Sequence, residues 1–119
     1  MNRELEMAKL ACRALDEKKG KDIKGIDIHE VSVIADYFVI ASASNQNQVQ
    51  AMVDNVDETL GRAGFEAKQI EGTRNSSWVL MDYGDMIVHV FDEENRLFYD
   101  LERIWRDGKV LDVNEFLEK

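Results

Sequence analysis

The chain has 119 residues, the length of one ordinary domain, and its 45% apolar and 33% charged residues exclude a disordered chain. Lys and Arg total 15 against 24 Asp and Glu, a net charge of −9 that argues against direct binding to DNA or another phosphate backbone. A basic protein or a small ligand is the partner class this charge favours. No apolar run approaches the roughly 20 residues of a membrane span, so no membrane partner is expected. The opening residues are charged from Arg3 onward and lack a signal-peptide core, and the lone Cys12 allows no internal disulfide. These features make a cytoplasmic, reducing location the expectation.

Residues 4–18 read as a helix, with Leu5, Ala8, Cys12 and Leu15 on one stripe, acids near its start, Lys18 and Lys19 near its end and Gly20 as its stop. Cys12 then faces the core as a structural thiol, with no neighbouring histidine to activate it. Alternation over Ile26–Ile28 predicts a strand with one wet face, and the continuous apolar run Tyr37–Ala41 predicts a central strand covered on both sides. Ser42-Ala43-Ser44-Asn45 reads as a strand-to-helix turn, and Asn45 with Gln48 has capping-box spacing. The helix that follows carries Val49, Met52, Val53, Val56, Leu60 and Ala63 on one face and ends at Gly64. A third strand is expected over 65–71, then a polar loop from Gly72 to Ser76.

The stretch WVLMDYGDMIVHVF, residues 78–91, reads as a hairpin turning at Tyr83-Gly84. Helical spacing returns after Asn95 through Leu97, Phe98, Leu101, Ile104 and Trp105, ending at Gly108, and Asn114–Lys119 is at most a short terminal helix. The predicted order is α-β-β-α-β-β-β-α, an α+β fold with a mixed sheet flanked by helices.

A turn of even length divides the hairpin into two faces. One carries Val79, Met81, Val88 and Val90 and is core. The other carries Trp78, Leu80, Asp82, Ile87, His89 and Phe91, large rings mixed with polar groups. Two readings compete for it. Helices cover the rings with His89 hydrogen-bonded at the edge, or the rings form an exposed protein-binding patch. Catalysis by Asp82 and Asp85 is disfavoured, because carboxylates flanking a tight turn more often cap it than converge on one atom. No catalytic residue, metal site or cofactor is expected. His29 and His89 lack the spacing or the cysteine partners of a zinc site, Asp92-Glu93-Glu94-Asn95 does not follow the calcium-loop pattern, and neither glycine-rich phosphate motif is present.

Several words of this sequence resemble the Iojap family, whose bacterial members are ribosomal silencing factors. They are Asp36-Tyr37-Phe38-Val39-Ile40, Gln48-Val49, Glu71-Gly72, Trp78 through Asp85, Val88-His89-Val90-Phe91, and Phe98-Tyr99-Asp100-Leu101-Glu102 with Trp105. The resemblance runs from the first helix to Trp105. Two departures stand out: Ala43 where glycine is usual in the turn, and Asn47 where arginine is common before the Gln-Val word. The resemblance implies docking on large-subunit ribosomal protein fourteen, a steric block to subunit joining, and repression of translation when nutrients are scarce. With the mixed face, it makes Trp78, Leu80, Asp82 and His89 the expected partner-binding residues. Tyr99 joins them although it sits to one side of its helix's apolar stripe.

A homodimer is expected in the free protein at high concentration, since an apolar face awaiting a partner tends to be covered. The resemblance also implies a nucleotidyltransferase-like fold, so the alternative is a nucleotidyltransferase-like enzyme or nucleotide-binding protein. That alternative is opposed by the glycine-free turn Ala41-Ser42-Ala43-Ser44 and by the lack of a following Asp-x-Asp pair.

Overall fold

The computed structural model describes residues 3–30, 33, 35–72, 78–93 and 108–117. Helix α1 (Arg3–Glu17) packs Met7, Ala8, Ala11, Cys12, Ala14 and Leu15 inward, small and medium side chains that let it lie close on a sheet. Lys19 takes the left-handed conformation at its end, with φ 62°, and Gly20 donates its N–H back to the Leu15 carbonyl at 2.9 Å. Gly20 is needed for close approach, because a Cβ there would sit 2.9 Å from the Leu15 oxygen and from Met52 Cε. The predicted stop is therefore in the right place, and the strained residue is the lysine before it.

Strands β1 (Lys21–Asp27) and β2 (Tyr37–Ala43) follow, then helix α2 (Gln46–Arg62), strands β3 (Gln69–Glu71), β4 (Trp78–Asp82), β5 (Met86–Asp92) and β6 (Lys109–Val110), and helix α3 (Val113–Leu117). The sheet order is β3-β4-β5-β2-β1-β6. Among the described residues only β2 and β5 pair in parallel, and the other four pairings are antiparallel. This is the expected α+β fold with a mixed sheet. In detail β1 is longer than predicted, β3 shorter, and β6 was not foreseen. The helix expected after Asn95 falls on residues outside those described.

Strand β2 is buried along its whole length, as its unbroken apolar run requires. On one face of the sheet Val39, Ala41, Val79, Met81, Val88 and Val90 meet α1, α2 and α3 in the larger core. On the other, Ile26, Ile28, Ala35, Phe38, Ile40, Ile87 and Phe91 form a second core, with Trp78 and Leu80 packed against it.

Gln48 fastens the two long helices together. Its Oε1 accepts the Ser44 N–H at 2.6 Å, while its Nε2 donates to the carbonyls of Lys18 and Lys19 at the end of α1. Asn45 is the N-cap, its Oδ1 accepting the Gln48 N–H at 2.9 Å. The reciprocal cap of the sequence is thus present in altered form, with the glutamine reaching one residue further back. Helix α2 ends in a left-handed Gly64, and Phe65 donates to the Leu60 carbonyl at 2.8 Å with both side chains buried.

Candidate functional site

The β4–β5 hairpin closes through the Tyr83 N–H, which donates to the Met86 carbonyl at 2.9 Å across Gly84 and Asp85. Gly84 has φ 89°, a conformation that costs glycine little. Asp82 Oδ1 accepts the Gly84 N–H at 2.7 Å, so this carboxylate caps the turn. The Asp85 carbonyl accepts from the N–H groups of Asp36 and Tyr37, which ties the turn to the start of β2.

The even turn produces the predicted partition of side chains. Val79 pairs with Val90 and Met81 with Val88 on the helix-covered face. Trp78 pairs with Phe91, Leu80 with His89 and Asp82 with Ile87 on the other. The structure brings Trp78, Leu80, Asp82 and His89 together there, but not at equal depth. Phe91 is fully buried and His89 is only 4% exposed, whereas Trp78, Leu80 and Asp82 are half-buried. The expectation of an exposed ring patch needs correction on this point: the rings of β5 are inside. Strand β5 lies between β4 and β2, and its side chains on this face are covered by the second core. Tyr99 lies outside the described residues.

His89 is held by rings. Its centroid is 4.8 Å from that of Phe38 in an edge-on contact, 5.8 Å from Trp78 and 6.3 Å from Phe91, the last two nearly parallel. The Trp78 indole N–H donates to His89 Nδ1 at 3.1 Å. With Nδ1 accepting, the proton of the neutral imidazole sits on Nε2, which is buried and has no hydrogen-bond partner among the described residues. Burial in apolar surroundings pushes the His89 pKa down to about 4, so the ring is neutral at physiological pH. The Tyr83 hydroxyl is likewise buried without a partner among the described residues, and burial followed by the charge of Asp57 pushes its pKa up.

Two further residues reach this face from the neighbouring edge strand. Glu71 pairs with Leu80 and Gln69 with Asp82, both exposed, and Gln69 Nε2 donates to Glu71 Oε1 at 2.6 Å. Their alternation was the available signal, but the register that sets them beside Leu80 and Asp82 depends on pairing across a loop.

His29 belongs elsewhere. It is exposed at the end of β1, where its Nδ1 hydrogen-bonds Asp27, a contact that raises its pKa. Among the described residues no three His, Cys, Asp or Glu side chains gather where a metal ion could be held. An open cavity of about 360 Å³ lies between α1, β1, β6 and α3, lined by Ile23, Val110, Leu111 and Leu117 with Asp16 and Lys24 among its polar members, and shares no residue with the hairpin.

The family model described as ribosomal silencing factor during starvation matches residues 1–119. The ribosomal silencing factor RsfS of Bacillus subtilis is 37% identical over 106 residues, covering 89% of this chain and 90% of that protein. The protein of the same name from Halalkalibacterium halodurans is 35% identical over 91% of this chain and 92% of its own length. The chloroplastic protein Iojap of Zea mays is 27% identical over 92% of this chain and 47% of its own length. Among solved structures, a Chromobacterium violaceum protein superposes with a TM-score of 0.83 at 35% identity, covering 91% of this chain and 90% of that one. A hairpin carrying the most distinctive words of the sequence, on a fold shared with these relatives, places the chain in the ribosomal silencing factor family.

Proposed function

We propose that the protein docks on the large ribosomal subunit at ribosomal protein fourteen, blocks joining of the small subunit sterically, and so represses translation under nutrient limitation in the cytoplasm. The observation that carries this reading is the β4 face. Trp78 and Leu80 stand half-buried beside Asp82 and the exposed Glu71, on a chain of net charge −9. An apolar centre with an acidic margin suits a basic ribosomal protein, with attraction between opposite charges speeding encounter. Trp78, Leu80 and Asp82 contact the partner directly in this proposal, joined by Tyr99.

Cosedimentation with isolated subunits tests it. The protein should travel with large subunits and not with small ones, and association should slow as salt rises from low to physiological strength. Equal binding to both subunits would sink the idea. A homodimer that covers the same face at high concentration belongs to the proposal. A monomeric mass by light scattering at about 100 μM, well above the range of weak micromolar contacts, would count against that part.

The rival reading is a nucleotidyltransferase-like enzyme. The turn before α2, where such a fold would hold phosphates, is closed on itself. Asn45 and Gln48 side chains already accept the Gln48 and Ser44 N–H groups. Equilibrium dialysis with magnesium and nucleoside triphosphates should therefore show no micromolar binding.

A further inference from the structure

Trp78 sits diagonally across the β4–β5 pairing from His89, and the only polar atom of its indole donates to the imidazole Nδ1 at 3.1 Å. His89 is set on β5, which is paired on both sides, and its ring is packed against Phe38 on β2. The acceptor offered to the indole is thus fixed in place. Trp78 stands at the start of β4, half-buried, with its ring stacked on Phe91 at 5.5 Å. At 4% exposure His89 has almost no surface to offer a partner. Its Nε2–H is buried with no acceptor among the described residues, a desolvation cost that a phenyl ring at the same place would avoid. What the imidazole supplies in return is the Nδ1 acceptor.

We infer that His89 is a positioning residue: its Nδ1 holds the Trp78 indole in the orientation that the docking face presents, and His89 makes no partner contact itself. The inference rests on the docking role proposed above for Trp78. Ordering a side chain before binding removes that cost from the association, so releasing the indole weakens binding without deleting a contact.

The test uses His89→Phe, which keeps a ring but no acceptor, and His89→Asn, whose amide oxygen falls near the place of Nδ1. Each is made alone and with Trp78→Phe. Two quantities are measured on the folded variants: solvent exchange of the Trp78 indole N–H by NMR, and affinity for isolated large subunits. His89→Phe should expose the indole N–H to exchange and weaken binding about 3- to 10-fold, the range for one side chain that must be ordered on binding. His89→Asn should restore most of both. In the Trp78→Phe background His89→Phe should change affinity less than about twofold, because the side chain it acts through is gone.

The inference is overturned if His89→Phe leaves indole exchange unchanged, or weakens binding as much without Trp78 as with it. If His89→Phe does not fold, His89→Asn decides: a protected indole with normal affinity supports the inference, and a protected indole with lost affinity overturns it. Wild-type protein that fails to bind large subunits overturns the docking reading instead, and indole exchange then decides whether His89 holds Trp78.

Discussion

At the scale of single residues, Trp78 and His89 have different exposures and therefore different tests. Trp78→Ala should cost about 2–4 kcal/mol of subunit binding, a roughly 30- to 1000-fold loss, because interface tryptophans are frequent hot spots. It should also cost about 2–3 kcal/mol of stability, less than a fully buried aromatic, since the indole stacks on Phe91 and His89 but keeps an exposed edge. Urea unfolding and cosedimentation on the same variant separate the two effects. A destabilised Trp78→Ala whose folded fraction binds normally would remove Trp78 from the interface. Asp82→Asn isolates charge from geometry, because an amide oxygen can still accept the Gly84 N–H. The variant should fold normally and lose less than about fivefold in binding if the pair it makes is at the rim.

His89 also sets a pH dependence. Its folded pKa of about 4 lies below the ordinary 6.5, so the unfolded chain binds the extra proton first as pH falls. Its contribution is whole above pH 6.5 and drains away between 6.5 and about 4, by about 3 kcal/mol at most. His29 acts in the opposite sense. Its pKa is raised by Asp27, so it adds stability at low pH and loses it as pH climbs through that raised value, weakly because it is exposed. Urea midpoints at pH 7 and pH 4.5 should differ markedly for the wild type and much less for His89→Phe.

At the scale of elements, the helix ends carry the most sequence-legible detail and one surprise. The stripe of apolar residues located α1 and α2 to within a residue or two, and Asn45 with Gln48 marked the start of α2 correctly. That Gln48 also grips the end of α1 could not be read, because Lys18 and Lys19 are about 30 residues away in sequence. Gln48→Ala should cost about 1–2 kcal/mol, the net value of a few partly solvated hydrogen bonds. Gln48→Glu should be at least as costly at neutral pH, since it keeps the acceptor for Ser44 but sets a carboxylate against two carbonyl oxygens. Chemical denaturation of the two variants at pH 7 checks both the size and the order. A Gln48→Glu protein more stable than Gln48→Ala would refute the stapling role.

At the scale of the whole molecule, Cys12 reports on the integrity of the larger core. It is fully buried among α1 residues, and burial pushes its thiol up to about 12. An aromatic disulfide reagent at pH 7 should leave the native protein unmodified, and labelling should track the global unfolding transition in urea. Reaction at native conditions on the timescale of a free thiol would show that α1 detaches locally. The sequence by itself determined the fold class, the two long helices, the buried strand β2 and the division of hairpin side chains between two faces. Each is set by local periodicity, capping chemistry or the parity of one turn. Only the tertiary structure decided which hairpin strand would be interior. By alternation alone β4 and β5 are equivalent, each offering rings and polar groups to the same face. The parallel pairing of β2 with β5 places β5 in the middle of the sheet and β4 next to the edge strand. That single nonlocal contact buries His89 and Phe91 in the second core while leaving Trp78, Leu80 and Asp82 half-buried.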